Sequence, residues 1–283
     1  MVSGQSGKIR SDIAWSTPDR ITIRGKDLPG EILGKMSLAD FSYFQLTGNE
    51  PTAGQSRVYN AILIALVEHG LTPSALAARL TYAGAPESLQ AAVAAGLCGL
   101  GSVFVGTTEG AALMLNQALA EDDGTLDLSD TAARIVADFR ARDAIIPGLG
   151  HPFHKPIDPR TPRLFEIAAE SGLAGRYVEL IQRVGHEAEK SLGKPLPVNV
   201  TGAIAALTAE LGIPPRIVRG LGVMARAIGL VGHLLEESTQ PLALELWHRT
   251  DNEASAHLRP HPSHAAPATA HRSGGPRPLN EPT

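Results

Sequence analysis

Between Ile145 and Arg160 the sequence sets five side chains able to do chemistry into one short stretch: His151, His154, Lys155, Asp158 and Arg160. An imidazole can take or give a proton near neutral pH. A guanidinium can grip a carboxylate through two parallel hydrogen bonds. The stretch is a loop by composition. Pro147, Pro152, Pro156 and Pro159 interrupt helices, and Gly148 and Gly150 allow left-handed or closely approached backbone. A loop stiffened in this way can hold side chains in place; the same residues also fit a surface connection with incidental polar groups.

Three more places carry polar residues in telling surroundings. His69, between Glu68 and Gly70, closes an apolar stretch, where an imidazole often does no more than cap a helix C-terminus. Thr201 follows Pro197-Val198-Asn199-Val200. Arg226 lies in the run Met224 to His233, within a long amphipathic pattern where an arginine ordinarily faces solvent. His233 in that pattern reads as a packed helix histidine.

The elements that must position these groups are helical. The chain of 283 residues has only 4% aromatic residues and much Ala, Leu and Gly, which suits closely packed helices. Arg20-Ile21-Thr22-Ile23 alternates as a small strand does. Ser37 caps a helix from Leu38 that stops at Gly48, with Asp40 as capping-box partner. Thr52 caps the next, expected to run from Gln55 to His69. Ser88 to Leu100 reads as a helix whose Gly96 and Gly99, with Gly101 beyond it, require another helix or a loop to approach closely. Helices also follow across residues 113–143, with Ser129 capping the second of them, over Pro162 to Ser171, Tyr177 to Ser191 and Arg216 to Glu237. Residues 1–19 and 251–283 are expected to be flexible. The second of these holds six prolines and the scattered His257, His261, His264 and His271, whose spacing fits no compact metal site.

Composition excludes some functions. A formal net charge of −4 gives no electrostatic case for nucleic acid or an anionic membrane. No uninterrupted apolar run reaches the ~18–20 residues that span a bilayer. The single cysteine, Cys98, permits no internal disulfide and no cysteine-cluster metal centre, and points to the cytoplasm.

Several of these stretches together resemble the citrate synthase superfamily, which includes citrate synthases, 2-methylcitrate synthases and citryl-CoA lyases. Gly148-x-Gly150-His151, Lys155 and Asp158-Pro159-Arg160 resemble its G-x-G-H…(K/R)…D-P-R signature. Glu68 to Arg79 is similar to D-H-x-x-x-x-S-x-x-A-A-R, Pro197 to Thr201 to P-N-V-D, and Arg226 to His233 to an R-x-x-G-x-x-x-H run; the Val-Gly-His ending of the last is favoured by citryl-CoA lyase modules. The resemblance implies an all-α fold with a large domain (20–111 and 206–250), a smaller one (112–205) and an active site between them. It implies a homodimer, coenzyme A thioester as substrate with no permanently bound cofactor or metal, and a di- or tricarboxylate as the other substrate. His69, Arg160 and Arg226 would bind carboxylates, His151 would take the substrate hydroxyl proton, and Lys155 would contact coenzyme A.

Two positions depart from the pattern. The superfamily's thioester-facing His falls on Val105, and its catalytic Asp on Thr201, which is no base at neutral pH. Glu109, near Val105 in sequence, is then the nearest replacement acid. The expected function is a citryl-CoA lyase-like carbon–carbon cleavage. The alternatives are condensation of an acyl-CoA with a 2-oxo acid, and a non-catalytic protein that binds coenzyme A or carboxylates.

Overall fold

The computed structural model describes residues 9–259 apart from Pro152. Eleven helices dominate the described residues. A small antiparallel sheet precedes them: β1 (Ala14–Thr17), β2 (Arg20–Ile23) and β3 (Lys26–Asp27), with Ala14 opposite Ile23 and Thr22 opposite Asp27. Residues 14–17, expected in a flexible segment, are therefore ordered by pairing with the alternating run after them.

Helix α1 (Leu38–Thr47) begins as the sequence predicts, with Ser37 Oγ accepting from the Asp40 N–H at 3.1 Å. Asp40 departs from a capping box: its carboxylate accepts from the Ser37 hydroxyl at 2.8 Å instead of from the cap backbone. Thr52 and Gln55 form a full capping box for α2 (Ala53–Val67). That helix ends two residues before His69, because Glu68 turns extended and its carboxylate takes the next two N–H groups. Helices α3 (Pro73–Gly84) and α4 (Leu89–Cys98) follow. A π-type turn at Gly101–Val105 leads into α5 (Gly106–Ala118), and α6 is Leu128–Ala141. Asp127, not Ser129, caps α6, its carboxylate accepting from Ser129 N at 2.7 Å. The remaining helices are α7 (Arg160–Glu170), α8 (Arg176–Leu192), α9 (Val200–Glu210), α10 (Val218–Thr239) and α11 (Ala243–Ala254). Helix α11 continues into a short 3-10 turn at Ala256–Leu258, so residues 251–258 are helical where a flexible tail was expected. His257 lies in that turn; His261, His264 and His271 lie outside the described residues.

The main core forms around α9, which is apolar on all sides and buried along most of its length. Ile204 and Leu207 are wholly buried there, with Leu115 of α5 and Leu180 and Ile181 of α8. A smaller cluster joins Ala78, Ala92, Leu230 and Leu234. Here the close approach expected at Gly96 is made: a Cβ on it would stand 2.6 Å from Leu230 Cδ1 and 3.0 Å from Ala78 Cβ. This packing is within the chain, so the glycine is no argument for a second copy.

Helix α10 with its leading turn, Pro215–Thr239, is long and apolar enough to cross a bilayer by length and composition. Arg216, Arg219, Arg226 and His233 punctuate it, so it holds no uninterrupted apolar run of that length. In this fold it packs against α2, α3, α4 and α5.

Candidate active site

Four helices begin at one cavity of 660 Å3: α3 at Thr72 to Ser74, α5 at Val105 and Thr108, α7 at Arg160, and α9 at Val200 and Thr201. The positive ends of the peptide dipoles make such an assembly favourable for anions.

The His151 loop reaches this cavity by lying against the segment before α9. Gly150 N–H donates to Pro197 O at 2.8 Å, and Asn199 N–H to Gly148 O at 2.9 Å, with Leu149 and Val198 paired as an antiparallel bridge. A Cβ on Gly148, whose φ is +90°, would stand 2.7 Å from Gly202 Cα. Two glycines thus let the loop and the start of α9 touch, setting His151 and Thr201 on one wall.

Three imidazoles gather there. Ring centroids are 4.6 Å apart for His151 and His154, 5.1 Å for His69 and His154, and 6.3 Å for His69 and His151. His151 Nδ1 accepts from the Phe153 and His154 N–H groups at 3.1 and 2.9 Å. The neutral ring therefore carries its proton on Nε2. This corrects the expectation that His151 takes the substrate hydroxyl proton: its remaining nitrogen is a donor, because the lone pair is already spent on the backbone. His69 Nε2 and His154 Nε2 meet at 2.8 Å, so one donates and the other accepts. Burial first, then the positive charges of Arg160, His154, His151 and Arg226, hold the His69 imidazole below its ordinary value. Burial likewise lowers His151, helped by His154 and Arg160 and opposed by Asp158.

The two arginines differ. Arg160 spends its fork inside the chain, donating from Nε and Nη2 to the two oxygens of buried Asp158 at 3.0 and 2.9 Å. Asp158 also accepts from Val200 N at 3.2 Å, which ties the loop to α9. After burial, which opposes it, these donors hold the Asp158 carboxyl below its usual range. Arg226 Nη1 reaches Thr72 Oγ1 at 3.3 Å, its Nε is buried with no hydrogen-bond partner among the described residues, and no carboxylate lies within ion-pair distance of it there. A half-buried guanidinium with its Nε left in that state suits an anion from outside.

The other end of the cavity is apolar. Val105 is buried against Gly222 of α10, and Leu100, Leu66 and Val200 share the wall. Thr201 lies on it, its hydroxyl donating to Asn199 Oδ1 at 2.7 Å, which leaves its oxygen free only to accept. Glu109 does not line the cavity: its carboxylate pairs with Arg219 Nη2 at 2.9 Å. Lys155 is exposed and also off the cavity wall.

The structure thus brings together His69, His151, Arg160, Arg226 and Thr201, and leaves out Glu109 and Lys155. It adds His154, which the sequence placed in the loop without a role; its spacing of three from His151 in a proline-bounded turn was the signal.

A family model described as "Citrate synthase, C-terminal domain" matches residues 23–245. The citrate synthase of Deinococcus radiodurans is 26% identical over 199 residues, covering 69% of this chain and 51% of that protein. Citrate synthase 2 of Bacillus subtilis is 27% identical over 203 residues, covering 71% and 52%. The chain spans about half the length of these curated relatives. Among solved structures, citryl-CoA lyase from Hydrogenobacter thermophilus is similar with a TM-score of 0.75 and 31% identity, covering 97% of this chain and 98% of that one. ATP citrate lyase from Methanosaeta concilii, in complex with (3S)-citryl-CoA, shares the fold at a TM-score of 0.67 and 20% identity, covering 83% and 40%.

Proposed function

Because this chain belongs to the citrate synthase family, we propose that it is a citryl-CoA lyase-like enzyme, cleaving citryl-CoA or a related 3-hydroxyacyl-CoA to a 2-oxo acid and an acyl-CoA. The observation that carries this reading is Arg226, a half-buried guanidinium with a buried, unpartnered Nε and no carboxylate in ion-pair contact among the described residues, at the cavity that three imidazoles share. The full-length likeness to a citryl-CoA lyase supports the lyase direction. The domain division proposed is residues 20–111 with 206–250 and residues 112–205, both of which contribute residues to the cavity wall.

In the cleavage, the bond between the hydroxyl carbon and the acyl α-carbon breaks. Its electron pair passes to the thioester as an enolate, the hydroxyl carbon becomes a ketone, and the hydroxyl proton leaves. Arg226 and the His69 edge hold substrate carboxylates, with Arg160 adding charge from its fixed place on Asp158. His151 Nε2–H donates to the ketone oxygen as it forms. Two neutral rings sharing one contact keep one free lone pair, so the His69–His154 pair is assigned the hydroxyl proton. The enolate carbon is protonated by a water held on the Thr201 oxygen, a weaker arrangement than a carboxylic acid.

Condensation of an acyl-CoA with a 2-oxo acid is the second reading. The His151 donor favours it, since Nε2–H is suited to polarise a ketone, and the curated relatives are citrate synthases. Incubation with citryl-CoA and other 3-hydroxyacyl-CoA esters, with mass detection of the released acyl-CoA, tests the lyase reading. Turnover of one of them is expected. Coenzyme A and dicarboxylate binding without turnover in either direction would leave a non-catalytic homologue.

The assembly proposed is a homodimer. It rests on an exposed apolar stripe of α10, where Met224, Ile228, Val231 and Leu235 are 37, 56, 48 and 68% exposed at helical spacing. A dimer mass in light scattering at micromolar concentration is expected; a monomer mass would reject it. A cytoplasmic chain without a permanent cofactor, with Lys155 contacting coenzyme A, completes the proposal.

A further inference from the structure

Behind the His69 turn lies a chain of hydrogen bonds that the reaction does not use. His233, buried on α10, turns Nδ1 to the guanidinium of Arg79, with Nε at 3.1 Å and Nη2 at 2.9 Å. Arginine offers only donors, so Nδ1 accepts and the ring proton sits on Nε2. That Nε2–H faces a carboxylate oxygen of Glu68 at 3.1 Å. Glu68 Oε1 also accepts from the N–H groups of His69 and Gly70 at 2.8 and 2.7 Å. Burial would raise the Glu68 carboxyl, but these donors outweigh it and keep the group ionised. At the far end, Arg79 is wholly buried and ion-paired with Glu237 at 2.8 Å and with Glu236. The second oxygen of Glu237 caps the start of α11, accepting from Leu242 N at 3.0 Å and Ala243 N at 2.8 Å.

The backbone is shaped to allow this contact. A Cβ on Gly229 would collide with Val67 O and stand 3.0 Å from Glu68 Oε2, so α10 approaches the turn as closely as it does only because residue 229 is glycine. Neither Arg79, His233 nor Glu68 lines the cavity. The only member of the turn that does is His69.

We propose that Arg79 and His233 are positioning residues for His69: through Glu68 they fix the Glu68–Gly70 turn and aim the His69 imidazole at the carboxylate of the substrate. Each link has one permitted direction. Arg79 cannot accept, so His233 must donate to Glu68, and the ionised Glu68 must then accept from both backbone N–H groups. Orientation of a functional side chain is thereby set by a buried ion pair on the far side of α10. This inference rests on the reading of His69 as a carboxylate-binding residue.

The test compares His233→Leu with His233→Gln in the full chain. Glutamine keeps an N–H able to reach Glu68; leucine does not. Three quantities are read at a temperature where circular dichroism shows each variant folded: oxaloacetate affinity by calorimetry, coenzyme A affinity, and the titration midpoint of 15N-labelled His69 imidazole by NMR. His233→Leu is expected to weaken oxaloacetate binding about tenfold or more, the scale on which loss of an orienting partner acts on a functional histidine, with coenzyme A affinity unchanged. The His69 midpoint is expected to rise toward its ordinary value as the ring leaves its neighbours. His233→Gln should recover most of both effects. A folded His233→Leu with wild-type oxaloacetate affinity and an unmoved His69 midpoint would overturn the proposal and leave the network a purely structural one. If the wild type binds no oxaloacetate, the proposed function fails, yet the His69 midpoint still decides the positioning role. If His233→Leu does not fold, Glu68→Ala, at a half-exposed position, replaces it with the same two expectations, since it removes the acceptor of both backbone N–H groups.

Discussion

The two ends of the cavity have been built to different standards. At the proposed carboxylate end, His69, the loop residues His151, His154 and Arg160, and Arg226 converge from three separate parts of the sequence, with His151 and Arg160 held by hydrogen bonds to their own loop. At the acyl end stand Val105, Leu100 and Val200, with the Thr201 hydroxyl the nearest polar group and already donating to Asn199. Holding a charged substrate and moving a carbon-bound proton are separable tasks. On the proposed function the chain is equipped for the first, and at the second has only the Thr201 hydroxyl to position water. The difference shows why fold and motif order alone do not settle rate: the cationic cluster and Thr201 come from different segments of the chain and can vary independently.

The largest expected effect comes from restoring the missing group. Thr201→Asp puts a carboxyl at the start of α9, and general acid–base help of this kind is typically ~10²–10⁴-fold. Acyl-CoA release from citryl-CoA, followed by mass, should rise by at least about tenfold, and adding His151→Ala should remove the gain because the ketone oxygen loses its donor. A normal coenzyme A affinity with flat or reduced turnover would mean that the acyl end serves another chemistry.

At the carboxylate end the two arginines should separate. Arg226→Lys keeps the charge and loses the fork, and should weaken oxaloacetate binding by about 1–3 kcal/mol with little change in unfolding midpoint. Arg160→Lys should lower binding and stability together, since it abandons two bonds to buried Asp158. Equal behaviour of the two variants would erase the distinction drawn between them.

A smaller effect follows from pH. His69 and His151 are held below the free imidazole value of about 6.5. Groups with a depressed folded pKa of this kind stabilise the ligand-free protein above that value, and the contribution is lost as pH falls through the lower folded one. Urea midpoints should therefore decline on acidification below about pH 6.5, while oxaloacetate affinity rises over the same interval, because the anion favours the protonated rings. The smallest effect is expected at Glu109→Gln. Its partly exposed pair with Arg219 is worth about 0–1 kcal/mol, and turnover should stay unchanged, since the carboxylate does not line the cavity.

Much of the helical frame was legible because caps and breakers are local. Ser37, Thr52 and Gly48 mark helix ends by their own side chains or backbone freedom; α1 spans the expected residues, and Thr52 caps α2, which begins at Ala53, two residues before the expected Gln55. The errors arose where a distant or competing group decided. Glu68 ends α2 early by taking the N–H groups of His69 and Gly70, and Asp127 outcompetes Ser129 for the α6 cap. Residues 14–17 gain order only from pairing with β2, and α11 runs on past residue 251 although the chain around it is rich in proline further along. In the candidate site, the loop and the α9 segment that the motifs single out lie against each other. The tautomer of His151, the fork of Arg160 already closed on Asp158 and the contact of His154 with His69 are properties of assembled geometry that no linear spacing carries.

The central claim, that the carboxylate end is a working dicarboxylate site, is tested most directly by calorimetric titration of the wild-type protein with oxaloacetate at pH 7 in two buffers of different ionisation enthalpy. Saturable binding is expected, with an apparent enthalpy that differs between the buffers and reports uptake of a proton by the His69–His154 pair as the anion enters. Absence of binding in both buffers, in a folded protein that still binds coenzyme A, would contradict it.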